Sequence, residues 1–226
     1  MTRTMQPIIG KALSLIGRRG LVLALPLALA ACNQGGPVAG FGGTYASVSD
    51  SQFTLPAVDT ARLKSKFLRQ TVSYNGRERP GTVIVDTDSR FLYFVLPGRK
   101  AVRYGIGVGK EGMAWGGNAV IAMKKKWPTW TPTQNMVRRD PKLKKYLGGF
   151  KPGIGNPLGA RAHYLYRGGR DTNYRIHGTN EPYSIGTAVS SGCIRMLNHD
   201  VIDLFKRTKV GTRVIVRHGR RNVASL

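Results

Sequence analysis

The sequence predicts a mainly β domain with a few short helices. Residues 82–85 (TVIV) and 90–96 (RFLYFVL) are β-rich runs, with the turn residues Asp86 to Ser89 between them. A Pro97–Gly98 turn leads into a third run over residues 101–108, so the three read as a meander of antiparallel strands. One stretch has strong helical periodicity. Residues 198–208 (NHDVIDLFKRT) put Val201, Ile202, Leu204 and Phe205 on an apolar face, with Asn198 or Asp200 as the cap.

The remaining elements follow in order. Residues 59–70 (DTARLKSKFLRQ) carry a short helical pattern. Residues 107–112 (GVGKEG) lack the spacing and the Lys-Ser/Thr end of a phosphate loop and read as a hairpin turn. Residues 123–133 (MKKKWPTWTPT) are extended, because each residue before a proline avoids the helical region. Residues 135–146 predict a short helix broken or started near Pro141, and residues 148–160 (GGFKPGIGNPLGA) a loop. Residues 163–166 and 174–177 are strand candidates, and residues 212–217 (TRVIVR) a closing strand. Residues 80–217 suffice for one domain with its own core, preceded by an arm over residues 49–79 that is too short to be a domain. No internal repeat is present.

The N-terminus reads as an export signal. Residues 1–20 carry Arg3, Lys11, Arg18 and Arg19 and no acid, and residues 21–32 (LVLALPLALAAC) are apolar. That run is short for a membrane span, which needs roughly 20 apolar residues. Leu29-Ala30-Ala31-Cys32 resembles a bacterial lipobox. The resemblance implies a signal peptide over residues 1–31, cleavage before Cys32, and lipidation of its thiol and new amine; the bland alternative is an ordinary secretory signal. Multiple acyl chains would anchor the protein stably to a membrane. Asn33, in place of the aspartate that retains lipoproteins in the inner membrane, favours the outer membrane. Residues 32–48, rich in glycine, form a flexible tether, and residues 218–226 a basic tail.

The chain carries 36 Lys and Arg against 11 Asp and Glu, a net charge of +25. The four cations of the predicted signal leave +21 for the remainder. Such a surface favours polyanions or acidic surfaces. No zinc-finger spacing or aromatic RNA-binding signature is present, so nucleic acid is not expected as a partner. Acidic wall peptides and anionic lipid headgroups fit better, although a high cation content also simply keeps a surface solvated. No metal-ligand set stands out, and no cofactor is implied.

Two cysteines, Cys32 and Cys193, are present. With Cys32 lipidated, Cys193 would be the one free thiol of an exported protein. A buried structural cysteine is one reading. A nucleophile is the other, because His177 stands sixteen positions earlier in RIHGTNEPYSIGTAVSSGCIRM. A nearby imidazolium lowers a thiol's pKa, and the same histidine can return a proton to a leaving amine. Gly192 would allow close substrate approach, and the backbone N–H groups near Gly192 and Cys193 are candidates for an oxyanion hole.

The stretch HGTNEPYSIGTAVSSGCIRM resembles the active-site motif of the YkuD-type L,D-transpeptidases. His177-Gly178-Thr179 matches its first part, and Ser190, Gly192, Cys193 and Arg195 its second. GNPLGARA, residues 155–162, resembles the family's upstream segment. Ser191 departs from the pattern, standing where many members carry histidine. The resemblance implies a β-sandwich or barrel of mixed sheets with a few short helices. It implies that Cys193 attacks the bond between a diamino acid and the terminal D-alanine of a peptidoglycan tetrapeptide stem, with His177 as general acid and base. The acceptor would be another stem, a protein lysine or water, giving a 3→3 cross-link, a wall-attached protein or a carboxypeptidase. A non-catalytic wall-binding lipoprotein of the same fold is the rival reading. The Gly178 carbonyl or the Thr179 hydroxyl would orient His177. Arg195 would bind a stem carboxylate or form a surface ion pair. Ser190 and Ser191 would line the substrate site. Trp127, Trp130, Tyr174 and Tyr183 are either core aromatics or pocket walls, and His163 and His199 read as structural or exposed.

Overall fold

The computed structural model describes residues 43–109, 116–190 and 192–217, with the backbone alone of Val189 and Ser190. The export signal, Cys32, Ser191 and the basic tail lie outside the described residues, as do most of the tether and the tip of the turn after Gly109.

The strands in chain order are β1 (Val48–Asp50), β2 (Phe53–Leu55), β3 (Gln70–Ser73), β4 (Val83–Asp86), β5 (Phe91–Leu96), β6 (Lys100–Gly105), β7 (Val108–Gly109) and β8 (Gly117–Lys126). They continue with β9 (Arg161–Arg167), β10 (Arg170–His177), β11 (Ala188–Ser190), β12 (Ile194–Arg195) and β13 (Arg213–Arg217). Two α-helices, α1 (Gln134–Arg139) and α2 (Asn198–Arg207), and four short 3-10 turns complete the described elements.

Nine strands form one mixed sheet in the order β12-β10-β9-β8-β13-β4-β5-β6-β3. β4, β5 and β6 are the antiparallel meander that their turns predict. β13 lies between β4 and β8, parallel to the first and antiparallel to the second. This closing strand joins the two halves of the sheet. β1 pairs with β2, and β11 with β7, as separate two-stranded sheets.

Burial explains the β-rich runs. Val83 and Val85 of β4, with Val214 and Val216 of β13, face the main core beside Leu92, Phe94, Ile121, Leu165 and Ile176. Ile84 faces the opposite side, packed with Tyr74, Val95 and Ala101 beside Ile215. Strands covered on both faces read as continuous apolar runs rather than alternations. α2 closes the main core with Val201 and Leu204.

Some local expectations change. The helix expected over residues 59–70 is two 3-10 turns, Thr60–Arg62 and Ser65–Phe67, separated by extended Leu63 and Lys64. The helix near Pro141 is α1 followed by a 3-10 turn at Pro141–Tyr146, with extended Asp140 between them. That break follows from proline's bias against a helical residue before it. Neither Asn198 nor Asp200 caps α2: Leu197 holds the cap position without a side-chain bond. Both polar side chains turn to tertiary partners instead.

The arm is tied to the domain at its first hairpin. Arg161, 4% exposed, makes a two-pronged ion pair with Asp50 at 2.6 and 2.7 Å. The indole N–H of Trp127 donates to the same carboxylate at 2.9 Å, and its ring packs on Phe53. Asp50→Ala leaves a buried guanidinium without its counter-charge. It is expected to cost about 3 kcal/mol in denaturant unfolding, with the Asp50→Ala/Arg161→Met double variant recovering part of the loss.

Candidate active site

The site is built on the pairing of two strand ends. β12 lies parallel to β10 with Ile176 opposite Ile194 and His177 opposite Arg195. Ile176 and Ile194 both face the main core. Side chains alternate along a strand, so His177, Cys193 and Arg195 share the other face. The register thus places Cys193, one residue before β12, diagonally across from His177. Gly192, with φ of +121°, makes the approach to Cys193 in a conformation that favours glycine.

His177 is 4% exposed, and its Nδ1 lies 2.6 Å from the Gly178 carbonyl. A carbonyl only accepts, so Nδ1 carries the proton and Nε2 keeps a lone pair. Burial pulls the His177 pKa down to about 4, the Gly178 carbonyl opposes this, and the charges of Arg195 and Arg175 add to it. Burial also pushes the Cys193 thiol up, against the Arg175 backbone and the charges of Arg175 and Arg195. Sγ lies 4.0 Å from the Asn173 carbonyl oxygen. At neutral pH the resting pair is therefore thiol and imidazole. A thiolate–imidazolium pair at rest is disfavoured, because burial penalises both charges.

The peptide after His177 is held from two sides. Gly178 N–H donates to Arg161 O at 3.0 Å, and Met196 N–H donates to His177 O at 2.8 Å. Asn198 is a clamp. Its Oδ1 accepts from Ala160 N at 2.9 Å and Thr179 N at 3.2 Å, while Nδ2 donates to Thr179 O at 2.8 Å. A Cβ added at Gly178 or at Gly159 would lie 2.1 Å from Asn198 Oδ1. The glycine after His177 is thus required by close approach. The Thr179 hydroxyl does not serve His177; it accepts from Glu181 N–H at 3.0 Å.

Cys193 opens onto two clefts. One, about 370 Å³, also has His177, Arg195, Trp130, Leu143 and Leu158 in its walls. The other, about 450 Å³, includes Gly192, Asn173, Tyr174, Gln134 and Arg139. Met136 borders both, so α1 stands over the thiol as a partition. Buried Asn156 supports the first wall: Nδ2 donates to Pro128 O, Phe150 O and Lys151 O, and Oδ1 accepts from Leu158 N at 2.8 Å. This is the local role of GNPLGA.

The other sequence candidates divide. Arg195 is ion-paired with Glu181 at 2.6 Å in the first cleft. Trp130 borders that cleft, whereas Trp127 is buried in the core. Tyr174 borders the second cleft, and Tyr183 lies elsewhere, under the guanidinium of Arg62. His163 and His199 are both buried, bonded to Thr208 and to the Ala46 carbonyl. Asn198, Asn156, Met136 and Leu143 were not singled out for the site. Only the tight Gly159 and Gly178 positions hint at Asn198, and sequence alone does not say what approaches them. Among the described residues no group of three His, Cys, Asp or Glu could hold a metal ion, and no helix is long and apolar enough to cross a membrane.

Residues 80–216 match the model of the YkuD family, the L,D-transpeptidase catalytic domain. The chain belongs to this family. It is 37% identical over 169 residues to the probable L,D-transpeptidase ErfK/SrfK of Escherichia coli K12, covering 74% of this chain and 49% of that protein. It is 36% identical over 139 residues to the probable L,D-transpeptidase YbiS of the same organism, covering 59% and 43%. A crystal structure from Brucella melitensis, described as a probable carnitine operon oxidoreductase, is 46% identical with a TM-score of 0.49, covering 70% of this chain and 99% of that one. The chain spans about half the length, or less, of the curated relatives it matches.

The imidazole is directly testable. His177 is expected to titrate near pH 4 by NMR, with Nδ1 protonated throughout the neutral range. Its folded pKa lies below the unfolded value of 6.5, so its contribution to stability is present above pH 6.5 and is lost as pH falls toward 4. A midpoint near 6.5 would contradict the buried, carbonyl-bonded environment.

Proposed function

We propose that this protein is a peptidoglycan L,D-transpeptidase using a Cys193–His177 pair. The observation that carries the reading is a single thiol at the junction of two clefts, beside an imidazole whose Nδ1 is held by the Gly178 carbonyl. A double displacement at one sulfur needs room for a donor and for an acceptor, and two clefts supply it.

The resting neutral pair defines the first step. As Sγ attacks the carbonyl carbon of the diamino acid–D-alanine bond, His177 Nε2 takes the thiol proton. The backbone N–H groups near Gly192 and Cys193 stabilise the resulting oxyanion. Collapse breaks the C–N bond, and the D-alanine amine leaves with the proton from His177. The thioester then accepts an amine, whose proton passes to His177 and on to Sγ as the C–S bond breaks. Arg195 turns from Glu181 to a substrate carboxylate, an exchange of one ion pair for another. The protein acts in the periplasm, exported by residues 1–31 and anchored by lipid on Cys32, in the outer membrane. The acceptor is the diamino acid of a second stem or a lysine of a wall-attached protein.

Incubation of the mature, lipid-free protein with tetrapeptide muropeptides tests this reading by mass spectrometry. A stem dimer that has lost one D-alanine, absent with Cys193→Ala, is the expected product. Tripeptide alone would make water the acceptor. No Cys193-dependent product, with no carbapenem adduct on Cys193, would leave a wall-binding protein. Because a neutral imidazole is the base, the acid limb of kcat/KM is expected near pH 4. A limb near 6.5 would require another base.

The partition over the thiol bears on substrate charge. α1 and the following 3-10 turn expose Arg138, Arg139, Lys142, Lys144 and Lys145, with Asp140 as the one acid in residues 134–146. This rim suits stems with free carboxylates. A Lys142→Glu/Lys144→Glu/Lys145→Glu variant is expected to raise KM for such stems about tenfold at low salt, with kcat held. The difference should shrink as salt shortens the Debye length. An unchanged KM at low salt would remove the rim from recognition.

A further inference from the structure

The arm before the family domain makes its contacts in an unusual place. The main core contains no residue before Val83, so the domain closes its own core without the arm. Tyr45, buried although it falls in the stretch expected to be flexible tether, and the arm's Leu63, Phe67 and Leu68 instead bury against Ile185 and Leu197. Those two residues lie in the segments that carry the reacting pair: Ile185 between His177 and Cys193, and Leu197 just after β12.

Phe67 fills a socket made of two glycines. A Cβ added at Gly186, where φ is +86°, would lie 2.3 Å from the Phe67 ring. One added at Gly105 would lie 2.4 Å from the Phe67 carbonyl oxygen. Gly186 N–H donates to Ile106 O at 3.0 Å, and Gly107 exchanges two hydrogen bonds with Arg195 at 2.9 and 2.8 Å. Phe67 therefore presses on a short stack that ends two residues from Cys193.

Tyr45 grips the other side. Its hydroxyl donates to the fully buried Asp200 carboxylate at 3.0 Å and accepts from Arg69 N–H at 2.7 Å. His199 Nε2 lies 2.8 Å from the adjacent Ala46 carbonyl. These contacts fix the first turn of α2, and Asn198 in that turn ties Thr179, just after Gly178, to Ala160. The guanidinium of Arg62 lies 3.7 Å from the Tyr183 ring centroid, a third contact on the loop between His177 and Cys193.

We propose that residues 43–74, outside the matched family domain, are part of the catalytic unit, with Phe67 and Tyr45 as positioning residues for Cys193 and His177. Phe67 holds the thiol segment in place, and Tyr45 holds the turn that presents the Gly178 carbonyl to the imidazole. The arm acts through these segments and touches no substrate. The inference rests on the proposed Cys193 chemistry only for its effect on turnover; its effect on the thiol stands alone.

The test uses the full chain with Phe67→Ala, Phe67→Leu and Tyr45→Phe, each assayed well below its own Tm. Two quantities are read: iodoacetamide alkylation of Cys193, mapped by peptide mass spectrometry, and D-alanine release from tetrapeptide stems. Phe67→Ala should loosen the segment and expose the thiol. Alkylation near neutral pH is expected to rise several-fold, while kcat for release falls about tenfold or more with KM little changed. Phe67→Leu, which keeps apolar bulk in the socket, should restore most of both, and Tyr45→Phe should lower kcat without speeding alkylation. A merely structural arm would lower Tm and move neither rate. Wild-type rates of alkylation and release in folded Phe67→Ala would overturn the proposal. If the wild type itself releases no D-alanine, the transpeptidase reading fails and alkylation alone decides the brace. Should Phe67→Ala not fold, Tyr45→Phe decides it: a wild-type kcat for D-alanine release in that variant would overturn the proposal.

Discussion

The site depends on one parallel pairing, Ile176 of β10 against Ile194 of β12. Both isoleucines are buried in the main core, and that burial sets the face of every neighbour. A register slip of one residue would send Cys193 inward and bring Ile194 to the cleft. Burying one isoleucine side chain is worth about 2 kcal/mol, so two of them resist such a slip strongly. The same pairing puts Arg195 beside His177 and lets Gly107 bond to Arg195 from the far side. The core thus selects the arrangement of His177, Cys193 and Arg195, although none of the three belongs to it.

The electrostatics follow from that burial. His177 and Cys193 sit between Arg175 and Arg195, whose charges oppose a second positive charge on the imidazole and favour a negative sulfur. Desolvation is the larger effect on each group and keeps both neutral at rest. A neutral thiol also resists oxidation, because oxidation follows thiolate character. In the proposed reaction the cost is that proton transfer must accompany attack. The short Nδ1 contact to Gly178 reduces that cost, since a carbonyl stabilises the imidazolium once it forms.

The β meander of β4 to β6 was legible because its turns carry Asp, Ser, Pro and Gly between runs of apolar residues. α2 was legible through its periodicity. The first half of β8 was missed, since GNAVIAM alternates weakly and two of its positions face solvent. β10 was read only from residue 174 on, because Arg170 to Asn173 is polar and a register shift lies between Asp171 and Arg175. The His177 and Cys193 pair stood out through motif spacing. What could not be read was the support around it. Asn198 looks like a helix cap in sequence, and only the fold shows Ala160 and Thr179 converging on its side chain. Likewise, the sequence did not reveal that burial would favour a neutral pair.

The arm shows how a domain boundary and a functional boundary can differ. The match to the family model begins at residue 80, close to where the strands of the main core begin. A site, however, is only as rigid as the segments that carry it, and here these are the long loop after His177 and the turn into α2. The loop is rich in glycine and polar residues; outside the main core, which takes Met196 of the turn, Ile185 and Leu197 are the apolar anchors of these segments. Those anchors need a partner surface that the nine-stranded sheet does not offer at this edge, because β12 is its last strand. Residues 43–74 provide it with Tyr45, Leu63, Phe67 and Leu68. The matched domain therefore contains every group that would react, while part of what keeps those groups in place precedes it in the chain.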